Sequence, residues 1–276
     1  MRTPGTYAGI MNDETVVPVL RSRLARTGST TARSPFYLLI TSAMTCTMFL
    51  GFSFTYFGPM ARGVYPDVSP MVHVHGWTFF AWYLLLPLQA GLIRSRKVAL
   101  HRTLGLASVA LGALMITVGL VVSLVQIDLA RAPDGNPFWQ LMGVPIFGVW
   151  ILFTVFYVEA IRRRKRVEDH KRLIVLASAS ALSAATFRIV VRIAGFSIWV
   201  AVIGTLAAVI FPLIAILHER HRQAASHPVY AWGVAAMVGM IAATFLLGVT
   251  PGGDMIEQGL AWVGRMIRPL YLDPSV

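Results

Sequence analysis

Cysteine is nearly absent: Cys46 is the only one in 276 residues. One chain therefore has no disulfide framework and no Cys-based metal site. Charge is scarce as well, at 13% of residues against 56% hydrophobic, with a mean hydropathy of +0.67. Soluble domains carry roughly twice that charged fraction, so a water-soluble globular domain is excluded. Acid is the scarcer sign, 12 Asp and Glu against 24 Lys and Arg, for a formal net charge of +12. In a soluble protein that surplus would point to nucleic acid. In a chain this apolar it reports membrane topology, and no nucleic-acid module accompanies it. Walker A, dinucleotide-glycine and serine-elbow motifs are missing too. No apolar run precedes Ser34, which predicts no cleaved secretory signal.

What the chain has is long apolar runs. The most informative is Met71 to Arg102, which opens with His73 and His75, continues through about twenty apolar residues and closes on a basic turn with His101. Hydropathy predicts seven spans, near 36–58, 71–93, 103–126, 138–161, 173–194, 197–217 and 229–249. The expected fold is an all-α polytopic transmembrane helix bundle. Residues 1–34 are expected as a cytoplasmic tail, with Val16 to Leu24 able to form a surface helix, 35–250 as the seven-helix transmembrane domain, and 251–276 as an interfacial amphipathic tail.

Lys and Arg set the orientation. The N-terminal tail and the turns at 94–102, 162–172 and 218–228 hold eighteen of the twenty-four, the opposite loops and C-terminal tail four, and Arg188 and Arg192 fall inside the fifth span. This predicts a cytoplasmic N-terminus and an outside C-terminus. A weak repeat relates LHRTLGLASVALGAL at 100–114 to DHKRLIVLASASALSA at 169–184, by duplication of a helix hairpin or by convergence.

Helical geometry groups the polar residues. At 3.6 residues per turn, eighteen residues make five turns, so His170 and Arg188 share an azimuth about 27 Å apart. His101, Gly105, Ser108, Gly112, Met115 and Gly119 form a second face, and His75, Trp82 and Gln89 a third at intervals of seven. All three are expected to face the bundle interior, with Arg188 and Arg192 approaching His75 near the outer surface. The small residues serve close helix packing or leave a groove for a flat cofactor. His101 and His170, at matching depth, are headgroup-level histidines or the two ligands of a haem. His75 is an interfacial hydrogen-bonded histidine or part of a site. Arg188 and Arg192 snorkel, or bind a quinone oxygen, a carboxylate or a haem propionate. The HERH at 218–221 is not the HExxH of zincins.

His75-Gly76, Trp82, Gln89, His101-Arg102 with Leu104-Gly105, His170-Lys171-Arg172 and the run Leu182 to Arg188 together resemble a family of bacterial multi-span membrane proteins defined only as a domain of unknown function. The resemblance covers about residues 70–192 and implies that His75, His101, His170 and Arg188 act as one set, in a multi-pass protein of the bacterial inner membrane. The layout is also similar to small b-type cytochromes. The function expected on these grounds is cofactor binding in the membrane, with electron transfer through haem b on His101 and His170 and a quinone at an outer site. The alternatives are an accessory subunit, whose partners are other membrane subunits or a second copy, and a transporter.

Overall fold

The computed structural model describes residues 34–133, 135, 137–223 and 225–271, and the predicted helix at Val16 to Leu24 lies outside them. Eight helices follow in order. They are α1 (Phe36–Ala61), α2 (Pro70–Arg94), α3 (Val98–Ala130), α4 (Pro137–Arg162), α5 (Val167–Ala194), α6 (Ile198–Arg222), α7 (Pro228–Gly248) and α8 (Pro251–Ile267). All but α8 are long and apolar enough to cross a bilayer, and no strand occurs among the described residues. The protein is an all-α polytopic bundle.

Local chemistry sets the helix starts. α2, α7 and α8 each begin with proline at the first position, where its missing N–H costs nothing. Ser69, His227 and Thr250 cap them by accepting from Met71, Val229 and Gly253 N–H groups. Gly195, at φ +78°, makes the abrupt turn into α6. α1 runs past the predicted end near residue 58, through a π-helical turn at Ser53–Phe57 and on to Ala61. Pro59 explains the turn: it offers no N–H to the Thr55 carbonyl, and the Gly58 N–H reaches back to Ser53 instead.

Helix neighbours define the architecture. α1 packs on α2, α2 on α3, α3 on α4, α4 on α5, and α5 back on α1, which closes a five-helix ring. α6 lies against α5, α7 against α4 and α5, and α8 against α3. α3 has 33 residues and is about 50 Å long, against a bilayer core of about 30 Å. α8 packs along the end of α3 that leads into α4. There Gly264 sits on the Leu124 backbone with no room for a side chain, and Tyr271 receives hydrogen bonds from Ser69 and Gln126. Arg265 reaches Asp128 at 3.2 Å, and Arg131 reaches Asp254 at 2.9 Å. The Arg131 hydrogen bond holds the Asp254 carboxyl below the usual range, while burial pushes Glu257 up. Met255, Trp262, Met266 and Leu270 of this segment stay exposed, the apolar face expected of an interfacial helix.

Candidate functional site

The ring interior contains two polar groups of residues separated by an aromatic layer. The middle layer is built on α2 and α4. Trp82 is 2% exposed and donates from Nε1 to Ser178 Oγ at 3.1 Å. Tyr83 donates to the Ser178 carbonyl at 2.6 Å. The Trp82 ring meets those of Tyr157 and Phe153 edge-on, with centroids 5.4 and 6.0 Å away. Tyr157 lies directly over Gly112 and donates to the Ser108 carbonyl at 3.0 Å. Trp150 lies beside Gly119 and donates to the Ile116 carbonyl at 2.9 Å. The small-residue face of α3 is therefore occupied by aromatic rings from α4 at both glycines. Where Gly112 and Gly119 left room for a flat cofactor, Tyr157 and Trp150 fill it. Trp82, expected at a cofactor site, is a structural member of this layer.

The first polar group lies at the base-rich end. His101 and His170 are each the fourth residue of their helix, and their imidazoles are electrostatic neighbours. His170 Nδ1 is 2.8 Å from the Ala160 carbonyl. A carbonyl can only accept, so Nδ1 carries a proton and donates it, which leaves Nε2 as the nitrogen turned away from that contact. Gln89 enters from α2. In the orientation that satisfies all its neighbours, its amide nitrogen donates to His101 Nδ1 at 2.6 Å and to the His101 carbonyl at 3.3 Å, and its oxygen accepts from Gly105 N–H at 3.2 Å. His101 Nδ1 is then an acceptor, and the neutral ring carries its proton on Nε2. Thus Gln89 bonds to His101, and His170 lies within electrostatic reach of His101. As placed, the set fits haem at His170, whose free Nε2 is oriented by a carbonyl as ligating histidines are. It does not fit at His101, where Gln89 would first have to turn over.

The second polar group lies at the opposite end, the one expected outside, between α1, α2 and α5. Arg188 donates from Nε to Thr55 Oγ1 at 3.0 Å and from Nη1 to the Ala184 carbonyl at 2.7 Å. Its guanidinium stands 4.2 Å from the centroid of the Phe52 ring, a cation–π contact. No carboxylate pairs with it among the described residues, and its Nη2 makes no hydrogen bond there. Its electrostatic neighbours are His75 and Tyr65. His75 packs against Phe79, 4.5 Å between centroids, and comes close to Gly119. His75 Nδ1 is buried without a partner. Ala184 and Thr55 are exposed although α5 is the most buried of the spans. The group therefore borders an accessible space and is not a sealed core.

Arg188 approaches His75 as expected, being its electrostatic neighbour, while its own hydrogen bonds go to Thr55 and the Ala184 carbonyl. The expectation for Arg192 needs correction. Arg192, one turn further out, is exposed and lies 6.0 Å from the Phe54 ring, apart from the group. Phe52, Thr55 and Tyr65 were not legible as partners in the sequence. The π-helical turn is what sets Thr55, and only Gly58-Pro59 hinted at it. His73 pairs with the Tyr56 hydroxyl at 2.9 Å. The HERH residues also separate: His218 stacks on Phe36 at 3.9 Å, Glu219 pairs with Arg172 at 2.6 Å, and His221 is exposed.

These features define a class: a multi-pass helical membrane protein with polar groups at both ends of a ring plugged by aromatics. No protein-family model matches the chain, and no curated protein or solved structure matches it either.

Proposed function

We propose that this protein binds an amphiphilic ligand with a carbonyl or carboxylate head, of the quinone type, in the outer group around Arg188. The observation that carries the reading is a half-buried guanidinium on a membrane-crossing helix that, among the described residues, has a free donor edge and no carboxylate partner. Intramembrane charges are costly and are normally paired or used. Thr55, the Ala184 carbonyl and the Phe52 ring hold Arg188 in place, and Nη2 remains to donate to a ligand oxygen. His75, with an unpartnered nitrogen, offers a second polar contact. Phe52 and Phe79 supply flat apolar walls, as small-molecule sites commonly do.

The test is titration of the purified protein with a short-tailed benzoquinone or naphthoquinone, followed by tryptophan quenching. Arg188→Gln should weaken binding about 10- to 100-fold, the effect of losing one charge-assisted hydrogen bond. Quinone affinity unchanged in that variant would remove the reading.

His170, its Nδ1 held by the Ala160 carbonyl, favours a second reading, haem b bound at the base-rich end through that one histidine, with electron transfer between it and the outer ligand. Haem would supply one-electron redox chemistry. His170 would hold it through Nε2, oriented by Ala160. The protein purified from haem-replete cells should then show a Soret band that disappears in His170→Ala. No Soret band in the parent protein would leave ligand binding alone. The accessory-subunit alternative draws on the exposed apolar faces of α6 and α7, including Trp199, Ile203, Trp232 and Leu246, which suit lipid equally well.

A further inference from the structure

At the base-rich end, where α1, α5 and α6 meet, a small cavity of about 40 Å³ opens among Tyr37, Lys171, Arg172, His218, Glu219 and Arg222. It is remote from the outer group and uses none of its residues. The pocket is firmly built. Arg172 is 2% exposed. Its Nη1 donates to Glu168 Oε2 at 2.7 Å, and its Nη2 pairs with Glu219 Oε1 at 2.6 Å. Its Nε is buried and has no partner. Lys171 reaches Glu168 at 2.7 Å and stands 5.1 Å from the centroid of the Tyr37 ring. The Phe36 ring, stacked on His218, closes one side.

Among the described residues the charges do not balance. Lys171, Arg172 and Arg222 face the carboxylates of Glu168 and Glu219, which leaves one positive charge there at the level where three membrane helices begin or end. A monoanion neutralises the set, and a dianion overshoots it. We propose that this pocket takes the phosphodiester of an anionic membrane lipid. The phosphate contacts Lys171 and Arg222, and the acyl chains enter the bilayer beside the pocket. Basic pockets between helices on the cytoplasmic side are suited to such headgroups, and the sequence places this end in the cytoplasm. Free inorganic phosphate shares the chemistry, part of it as a monoanion near neutral pH, but it lacks the acyl chains.

The experiment uses the full-length protein, delipidated in detergent and titrated with phosphatidylglycerol or phosphatidylcholine, with bound lipid counted by native mass spectrometry. Phosphatidylglycerol should bind preferentially. Lys171→Gln/Arg222→Gln should weaken it on the order of tenfold. Arg164→Gln/Lys165→Gln, which removes equal charge from the neighbouring exposed turn, should leave it unchanged. Arg222→Gln alone touches an exposed residue, so it keeps the test valid if the double variant fails to fold. Excess inorganic phosphate should not displace the lipid. Three outcomes overturn the proposal: no preference over phosphatidylcholine, equal losses in the two double variants, or displacement by phosphate, which would assign the pocket to the free ion.

Discussion

Gly51→Val should leave little folded protein, while Gly239→Val should be tolerated. At Gly51, α1 crosses α5 so closely that an added Cβ would stand 2.5 Å from the Ala185 carbonyl oxygen and 2.8 Å from its Cα. Both obstructing atoms are backbone, so no side-chain rotation relieves the clash, and the helices must separate. That contact closes the five-helix ring. Overpacking a core commonly costs about 1–3 kcal/mol, and the backbone clash puts this substitution at or above the upper end. Gly239, on α7, has nothing within 4 Å of an added Cβ. Size-exclusion profiles and melting temperatures in mild detergent compare the pair. Similar melting of the two variants would show that the α1–α5 contact does not hold the ring.

The sequence revealed the spans because bilayer crossing depends on length and hydropathy, which are additive along the chain. Each predicted span falls on a helix, and the largest differences are at the base-rich ends, where α3 and α5 begin at Val98 and Val167 and α6 runs on to Arg222, because the helices continue past the apolar stretch into the charged turns. The arrangement of the interior was half legible. Position along each span put His101 and His170 at one end and His75 and Arg188 at the other, and eighteen-residue spacing put His170 and Arg188 on one azimuth, because helical periodicity survives in a straight span. What fills the space between helices did not follow from any one helix. Gly112 and Gly119 look alike whether the neighbour is a cofactor or an aromatic ring. Only the register of α4 against α3, which brings Tyr157 and Trp150 over them, decides it. The same holds for Thr55, whose position depends on a π-helical turn that hydropathy does not report.

Arg172→Met should be the most destabilising single polar substitution at the base-rich end, at about 3–5 kcal/mol, the usual cost of leaving one partner of a buried ion pair alone. Glu219 is 6% exposed, and among the described residues Arg172 is its only cationic partner in a salt bridge. Without the guanidinium, its carboxylate keeps just the His227 backbone N–H at 2.9 Å. Glu219→Leu should cost less, because Arg172 retains Glu168 at 2.7 Å. Arg172→Met/Glu219→Leu should then be more stable than Arg172→Met alone. Removing the orphaned carboxylate eliminates the desolvation penalty, and apolar replacements of buried pairs are often neutral. A double-mutant cycle on thermal unfolding in detergent reads the coupling directly. If the two single effects simply add, then Glu219 is not stabilised by Arg172, and the pair does not anchor α6 to α5.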